Sequence, residues 1–423
     1  MKNIRKIFTL LFITVVLVSA CGNSSSVVAE SSRAREKNPN VSEAELNALV
    51  DGNNAFALDL YQSLRSENGN LILSPFSISL ALAMTYSGAR GETEAQMADV
   101  LNFSGQEQTH AAFNALDLAL EDNPLTLDKD QEPMQLSIAN SVWAEQTFTF
   151  LPDFLDTLSV NYGAGIHLLD FVNNPDPSRK EINKWVSNET KDKINNLLPE
   201  GTINPATKMV LVNAIYFKAD WLAPFDADDT FDGIFKLSDG SEVTVSMMDQ
   251  LMNIPYAIRD GYAVVDLPYA RGTAVMTILL PDEGRFEEIE SQLNHEMLKE
   301  VLEGMSTTEL SVFMPKFEYE SAFLLSDALT ELGMPAAFDD DRADFSGMTD
   351  QQKLFIADVI HKAYVKVDEK GTEAAAATAV MFEGAFGAFL GTPQFHMDRP
   401  FIYFIRDAES GQILFVGRVL NPQ

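Results

Sequence analysis

The chain has 423 residues, of which 46% are hydrophobic and 10% aromatic, so it contains ample material for a large hydrophobic core. Its formal charge of −32 at pH 7 argues against nucleic-acid binding, because contact with phosphates requires a cationic surface. Length alone would suggest two or three domains, but no linker divides the chain beyond about residue 42. We therefore expect one compact unit, whose acidity serves mainly solubility.

The first twenty residues have the pattern of a secretory signal peptide: a basic start, an apolar segment over 7–18 that is too short to span a bilayer, and small residues. The sequence Val-Ser-Ala-Cys that ends at Cys21 resembles a bacterial lipobox, in which the cysteine is acylated. Cys21 is the only cysteine, so a disulfide within the chain is impossible and a free thiol is the alternative. We expect a lipoprotein signal peptide over 1–20 and a lipidated cysteine with a flexible tether over 21–41. The protein would then be exported and lipid-anchored to the bacterial cell envelope, facing the periplasm or the exterior.

The folded part begins with clear helix signals. A capping box at 42–45 precedes an amphipathic helix to about Leu64. Residues 70–73 predict a short buried strand, and Ser74 is the N-cap of a helix over 75–87. Further helices are predicted near 92–101, 107–121, 152–160, 178–190 and 286–303, and strands near 135–144, 207–217, 242–248, 262–268, 273–280, 308–317, 355–367, 400–406 and 412–419. Helices and strands mix without a regular βαβ alternation, which predicts an α+β fold.

Residues 361–385 begin as a strand and then change character. Apolar residues alternate over 363–367, and after Thr372 seven of the next eight residues are Glu, Ala or Thr. An exposed helix or a low-complexity linker is one interpretation, because alanine has the highest helix propensity. However, every second residue from Thr372 to Gly384 is uncharged, while the acids fall on the other parity. This alternation favours a loop that could enter a sheet as a strand with one buried face.

Several separated motifs occur in an order that resembles the serpin family: His361-Lys362-Ala363, the run 368–373 followed by alanines, Asp398-Arg399-Pro400-Phe401 and the closing segment 415–422. The resemblance implies a single-domain serpin fold over 42–423, with three β-sheets including a large central sheet A, about eight or nine helices and an exposed reactive-centre loop. It also implies that the hinge of this loop comprises Glu369, Gly371, Thr372, Glu373, Ala374, Ala375, Ala376 and Ala377.

The resemblance also implies roles for residues outside the loop. The positions that match the shutter, a hydrogen-bond network beneath the central sheet where two strands part to admit the loop, are Ser74, Ser77, Asn213 and His361. From the residues alone, each could simply cap a helix or satisfy a neighbour. Trp221 matches the breach, the top of the sheet where insertion starts, although a core role would also explain it. Lys316 matches a partner for Glu369 at the base of the loop.

The function that the resemblance implies is suicide inhibition of a serine protease, in which the acylated loop inserts into the central sheet before hydrolysis finishes. Family spacing puts the cleaved bond between Ala385 and Phe386, with alternative recognition residues at Phe382, Phe386, Phe389 and Leu390. These residues suit elastase-like or chymotrypsin-like proteases, and subtilisin-like and papain-like ones remain open. No Lys or Arg lies between Lys370 and Arg399, so nothing indicates a trypsin-like target.

Two other functions are weighed against inhibition: a non-inhibitory serpin that acts as a binding or folding-helper protein, and an anchored hydrolase. The chain has no Gly-x-Ser-x-Gly, phosphate-loop or His-Glu-x-x-His motif, so we do not expect an enzyme. Five scattered histidines and one cysteine offer little to a metal site, and no cofactor is expected. The expected partners are the target protease, in a covalent complex, and a lipid membrane through acylated Cys21, with the protein itself a monomer.

Overall fold

The computed structural model describes residues 26–121, 134–272, 274–351, 353–372 and 392–423. The helices in these ranges are α1 (Glu43–Leu64), α2 (Pro75–Tyr86), α3 (Gly91–Leu101), α4 (Gln106–Glu121), α5 (Pro152–Tyr162), α6 (Pro175–Glu189), α7 (Phe286–Gln292), α8 (His295–Glu303) and α9 (Ser326–Leu332). The strands are β1 (Val27–Ala29), β2 (Leu71–Leu73), β3 (Gln135–Glu145), β4 (Ile166–Leu169), β5 (Met209–Asp220), β6 (Phe231–Lys236), β7 (Glu242–Arg259), β8 (Tyr262–Pro268), β9 (Ala274–Pro281), β10 (Ser306–Pro315), β11 (Phe317–Leu324), β12 (Asp358–Asp368), β13 (Gly371–Thr372), β14 (Gln394–His396), β15 (Phe401–Asp407) and β16 (Ile413–Val419). The predicted α+β class is confirmed.

The helix boundaries follow local capping chemistry. At the start of α1 the Ser42 hydroxyl accepts from the Glu45 amide, and the Glu45 carboxylate accepts from the Ser42 amide at 2.8 Å. The single helix predicted over 286–303 is instead two helices, because Asn294 caps a new start. Its side-chain oxygen accepts from the Met297 amide at 2.8 Å.

The strands form two hydrogen-bonded sheets. The central sheet has seven strands in the order β1-β4-β3-β5-β13-β12-β11, with an additional pairing of β5 with β12. The second sheet follows the order β14-β10-β7-β8-β9-β15-β16-β2, and β6 pairs with β7. The three predicted sheets thus appear as two continuous units, because the 18-residue strand β7 pairs with β6 and β10 and then continues to pair with β8.

Helix α2 packs between the two sheets. All twelve of its residues are buried, as expected for a helix that carries no charged residue and is mostly apolar. It packs against β3 and β5 of the central sheet and against β16 of the second sheet. Its position places Ser74 and Ser77 beneath the middle of the central sheet.

The expectation of a flexible tether over 21–41 is wrong for residues 26–41. Strand β1 pairs with β4 at the edge of the central sheet, which extends the folded unit ahead of residue 42. The largely buried Arg35 donates to Asn114 at 2.9 Å and forms an ion pair with Asp117 at 2.5 Å, both on α4. The polar composition indicated solvent exposure, but these polar groups find partners on the folded domain.

Candidate functional site at the loop hinge

Strands β5 and β12 are direct neighbours over only part of their length. They pair in parallel from Asp358 opposite Val210 to Ala363 opposite Ile215. Beyond that point β13 lies between them and runs antiparallel to both, with Thr372 opposite both Ala219 of β5 and Val367 of β12. The first two residues of the predicted loop therefore already occupy the position of an added strand.

Glycine at position 371 is required by this close approach. A Cβ atom there would lie 2.1 Å from the carbonyl oxygen of Ala219, so no other residue fits without moving the backbone. The turn that precedes it is held by Trp221, whose backbone amide donates to the Lys370 carbonyl at 2.7 Å. The indole of Trp221 donates to the Asp368 carbonyl at 3.0 Å.

The side chain of Thr372 enters the protein at the breach. It is 1% exposed, and its hydroxyl lies 2.6 Å from the hydroxyl of Tyr269. The Tyr269 ring stacks on Trp221, with centroids 4.5 Å apart and planes inclined by 9°. Burial raises the pKa of Tyr269, so it remains a neutral phenol that can donate or accept. Sequence reasoning missed Tyr269, because a single tyrosine after a strand carries no local signal of this contact.

The base of the loop is held by an ion pair. The Lys316 ammonium lies 3.0 and 2.9 Å from the two carboxylate oxygens of Glu369, and the Thr230 hydroxyl donates to the same carboxylate at 2.9 Å. Burial alone would raise the pKa of Glu369, but hydrogen bonds from Lys316, its own backbone amide and Thr230 together lower it. Because Lys316 is partly exposed, we expect the pair to contribute less than about 1 kcal/mol.

A row of side chains crosses the central sheet where β5 and β12 are paired. In register, Asn140 of β3 lies opposite Asn213 of β5, and Asn213 lies opposite His361 of β12. The Ser74 amide donates to Nε2 of His361 at 3.1 Å, so Nδ1 carries the proton and donates it to Asn213 Oδ1. Burial lowers the pKa of His361 to about 3, which keeps the imidazole neutral near pH 7.

The same row is connected to α2. The Ser77 hydroxyl donates to Asn213 Oδ1 at 2.9 Å, the Asn213 amide donates to Asn140 Oδ1, and the Asn140 amide donates to the Ser77 carbonyl at 3.0 Å. The structure thus brings together the four predicted shutter residues and adds Asn140, which sequence reasoning missed. Separation of β5 from β12 would break the bond between Asn213 and His361.

Comparison with known proteins identifies the architecture in which this network lies. The family model described as Serpin (serine protease inhibitor) matches residues 51–422. The chain belongs to the serpin family. Serpins of this kind are protease inhibitors, and the expectation that this serpin is not a catalytic enzyme is confirmed.

Similar proteins cover nearly the whole of this serpin. It is 40% identical over 385 residues to the "Leukocyte elastase inhibitor" of Bos taurus, which covers 88% of this chain and 99% of the relative. The corresponding protein of Xenopus laevis is 38% identical over 376 residues, covering 87% and 97%. The native-state structure of the thermophilic serpin tengpin aligns with a TM-score of 0.81 at 28% identity, covering 94% of this chain and 99% of tengpin.

Some predicted positions lie outside the described residues: Cys21, Glu373, Ala374, Ala375, Ala376, Ala377, Ala385 and Phe386. Among the residues that are described, no helix is long and apolar enough to cross a membrane. Within the same ranges, the carboxylates of Asp339, Asp340 and Asp341 lie within 4.8 Å of one another and could together approach a cation. They share no residue with the hinge of this serpin or with its polar network.

Proposed function

We propose that this serpin is a suicide-type inhibitor, which traps a serine protease by inserting its cleaved loop between β5 and β12. The observation that carries the proposal is the position of β13: Gly371 and Thr372 already lie between these strands, with Thr372 buried. Each further inserted residue would add backbone hydrogen bonds of about 1 kcal/mol each and bury alternate side chains.

The target we propose is an elastase-like or chymotrypsin-like serine protease, with a subtilisin-like enzyme as a further possibility. We place the cleaved bond between Ala385 and Phe386, where a small residue suits an elastase-like pocket and an aromatic one suits a chymotrypsin-like pocket. The names of the curated relatives, which are leukocyte elastase inhibitors, support the first of these. Mass spectrometry of the released C-terminal fragment identifies the bond.

Incubation with elastase, chymotrypsin and subtilisin tests the inhibitory mechanism. We expect a covalent complex with at least one protease that survives denaturing electrophoresis. We also expect the loop-cleaved protein to unfold at a higher temperature than the intact protein, because insertion adds a strand. A cleaved form that melts with the intact protein, together with the absence of a covalent band, would instead identify a non-inhibitory binding or folding-helper serpin.

The second part of the proposal is an exported, monomeric lipoprotein, anchored to the bacterial cell envelope through acylated Cys21. The lipobox pattern supports it. Because β1 begins at Val27, six residues after Cys21, the chain allows the folded domain at most about 20 Å of separation from the anchor. Palmitate labelling and detergent partition of wild type against Cys21→Ser test it, and equal labelling of the two would contradict it.

A further inference from the structure

Asn68 and Gly69 form the only Asn-Gly pair in the chain. They lie in the short connection between α1, which ends at Leu64, and β2, which begins at Leu71, and both residues are exposed. Gly69 has a φ of 78°, a left-handed conformation that glycine adopts without strain. Such a pair is chemically labile, because glycine has no side chain to shield its backbone nitrogen from the amide carbon of the asparagine.

The two groups that would react are free to approach each other. Among the described residues, neither the Gly69 amide nor the Asn68 side chain has a hydrogen-bond partner. A Cβ atom built on Gly69 would meet no described atom within 4 Å, so the space around it is open. Asn140 is the contrasting case, since it precedes the small residue Ser141 but lies in β3, and its side-chain amide donates to the Ser77 carbonyl at 3.0 Å.

We propose that Asn68 is a site of spontaneous deamidation, with water as the co-reactant. The Gly69 backbone nitrogen attacks the side-chain carbonyl carbon of Asn68, and its proton passes through solvent to the departing ammonia. The bond formed closes a succinimide ring. Water then adds to one of the ring carbonyls and breaks its bond to the ring nitrogen. Breakage at the side-chain carbonyl gives aspartate, whereas breakage at the main-chain carbonyl gives isoaspartate, so the net reaction consumes one water and releases one ammonia.

The same connection carries carbonyl groups that hold a buried arginine. Arg418 of β16 is 3% exposed, and its guanidinium donates to the carbonyls of Arg65 at 2.7 Å, Gly69 at 3.1 Å and Glu67. It also forms an ion pair with Glu290 at 2.8 Å. The second and third of these carbonyls flank the reactive residue. Any lengthening of the main chain between them therefore disturbs the acceptors of a buried cation.

The two products affect these contacts differently. Aspartate adds a negative charge at an exposed position and leaves the main chain unchanged. Isoaspartate adds the same charge, but its main chain runs through the former side chain and is longer by one carbon atom. We expect it to displace the Gly69 or the Glu67 carbonyl from Arg418, and a buried donor without its acceptor is costly. Deamidation would thus be a slow, irreversible loss of stability that needs no enzyme.

Peptide mapping by mass spectrometry tests the site. The full-length protein is incubated in weakly alkaline buffer made with heavy-oxygen water, both folded and in denaturant. Because the groups at Asn68 are free in the fold, we expect its folded rate to lie within about threefold of the denatured rate. At Asn140 we expect folding to slow the reaction more than about a hundredfold. Asn68→Gln is the matched control, since glutamine must close a larger ring, and it should take up no label at this position.

A second measurement separates the longer main chain from the added charge. The deamidated fraction of aged wild type is separated from unreacted protein by anion exchange and compared with Asn68→Asp, which has the same charge and an ordinary main chain. We expect the aged fraction to contain isoaspartate and to melt about 2 to 4 °C below Asn68→Asp. If folding slowed the reaction at Asn68 as much as at Asn140, the site would be wrong. A fraction without isoaspartate, or equal melting temperatures, would refute the effect on Arg418.

Discussion

Replacement of Thr372 by arginine tests the insertion mechanism at the first residue that enters the sheet. The Thr372 side chain is 1% exposed, and its hydroxyl lies 2.6 Å from that of Tyr269. An arginine at this position would carry a charge and a long side chain into a space that now holds one hydroxyl and one methyl group. Among the described residues, the Thr372 side chain is hydrogen-bonded to the phenol of Tyr269 and to no carboxylate that could neutralise an arginine.

The magnitude follows from the cost of burying a charge. An uncompensated charge inside a protein costs several kcal/mol, and partial escape of the arginine toward solvent reduces this to roughly 3 kcal/mol. Because Thr372 is already buried in the intact protein, we expect the arginine to displace β13 from the sheet before cleavage, so that insertion must then overcome the cost of burying it. Each 1.4 kcal/mol in a barrier changes a rate tenfold, so insertion should slow by about a hundredfold. Hydrolysis of the acyl-enzyme would then outrun insertion, and the protein would become a substrate.

The assay measures the ratio of covalent complex to cleaved serpin on denaturing gels, together with the number of serpin molecules consumed per protease inhibited. Glu373→Arg is the matched control, because strand alternation predicts that the neighbouring side chain faces solvent after insertion. We expect Thr372→Arg to give mainly cleaved serpin and Glu373→Arg to retain complex formation. If Thr372→Arg traps its protease with wild-type stoichiometry, insertion through β13 is wrong.

Three further predictions concern stability. His361 has a pKa of about 3 in the fold and about 6.5 when unfolded, so its contribution to the free energy of unfolding is complete above pH 6.5. Roughly 2 to 3 kcal/mol of that free energy is lost by pH 4.5, because the unfolded chain takes up a proton there and the folded chain does not. A His361→Gln variant whose free energy of unfolding depends on pH as steeply as that of wild type would contradict this. Arg35→Ala leaves Asp117 largely buried without its cation, and calorimetry should show a melting temperature about 2 to 4 °C lower; an unchanged value would mean that the N-terminal segment is not docked. Asn140→Ala leaves the Asn213 amide without its acceptor and should lower the denaturation free energy by about 1 to 3 kcal/mol, whereas no loss would remove Asn140 from the network.

Much of the fold could be predicted from local signals, and the shortest strands show why part of it could not. The capping box at Ser42 and the Ser74 N-cap gave the starts of α1 and α2, because capping depends on a few neighbouring residues. By contrast, strands β1, β4, β6, β11 and β14 and helix α9 were not predicted. Strands β1, β4 and β14 have only three or four residues, and each exists as a strand only because a distant strand pairs with it. Local periodicity contains no information about such a partner.

The candidate site divides in the same way. The roles of Asn213 and His361 came from resemblance to the serpin family, since isolated polar residues in apolar strands carry no pattern of their own. Asn140 and Tyr269 were missed because only the register of β3 with β5, and the bridge between Trp221 and Tyr269, bring them into contact. The alternation after Thr372 was the informative local signal, because an inserted strand needs small, uncharged residues at every second position.

The topology also explains why insertion would be favourable yet wait for cleavage. Over six residue pairs β5 and β12 share one parallel ladder, which a longer β13 would replace with two antiparallel ladders. At about one bond per residue and 1 kcal/mol per bond, this exchange gains roughly 6 kcal/mol before side-chain burial is counted, and antiparallel pairing is the more stable type.

The intact chain cannot complete this exchange, because its far end is fixed in another sheet. Residues 394–396 pair with β10 as β14, so the segment after Thr372 is tethered at both ends. Cleavage at the proposed bond near residue 385 would release one end and leave the other joined to β13, from which the strand could grow toward His361. On the proposed mechanism, the barrier in the intact protein is therefore the covalent continuity of the loop together with its anchorage at β14. The Lys316–Glu369 pair, worth less than about 1 kcal/mol, is too weak to supply it.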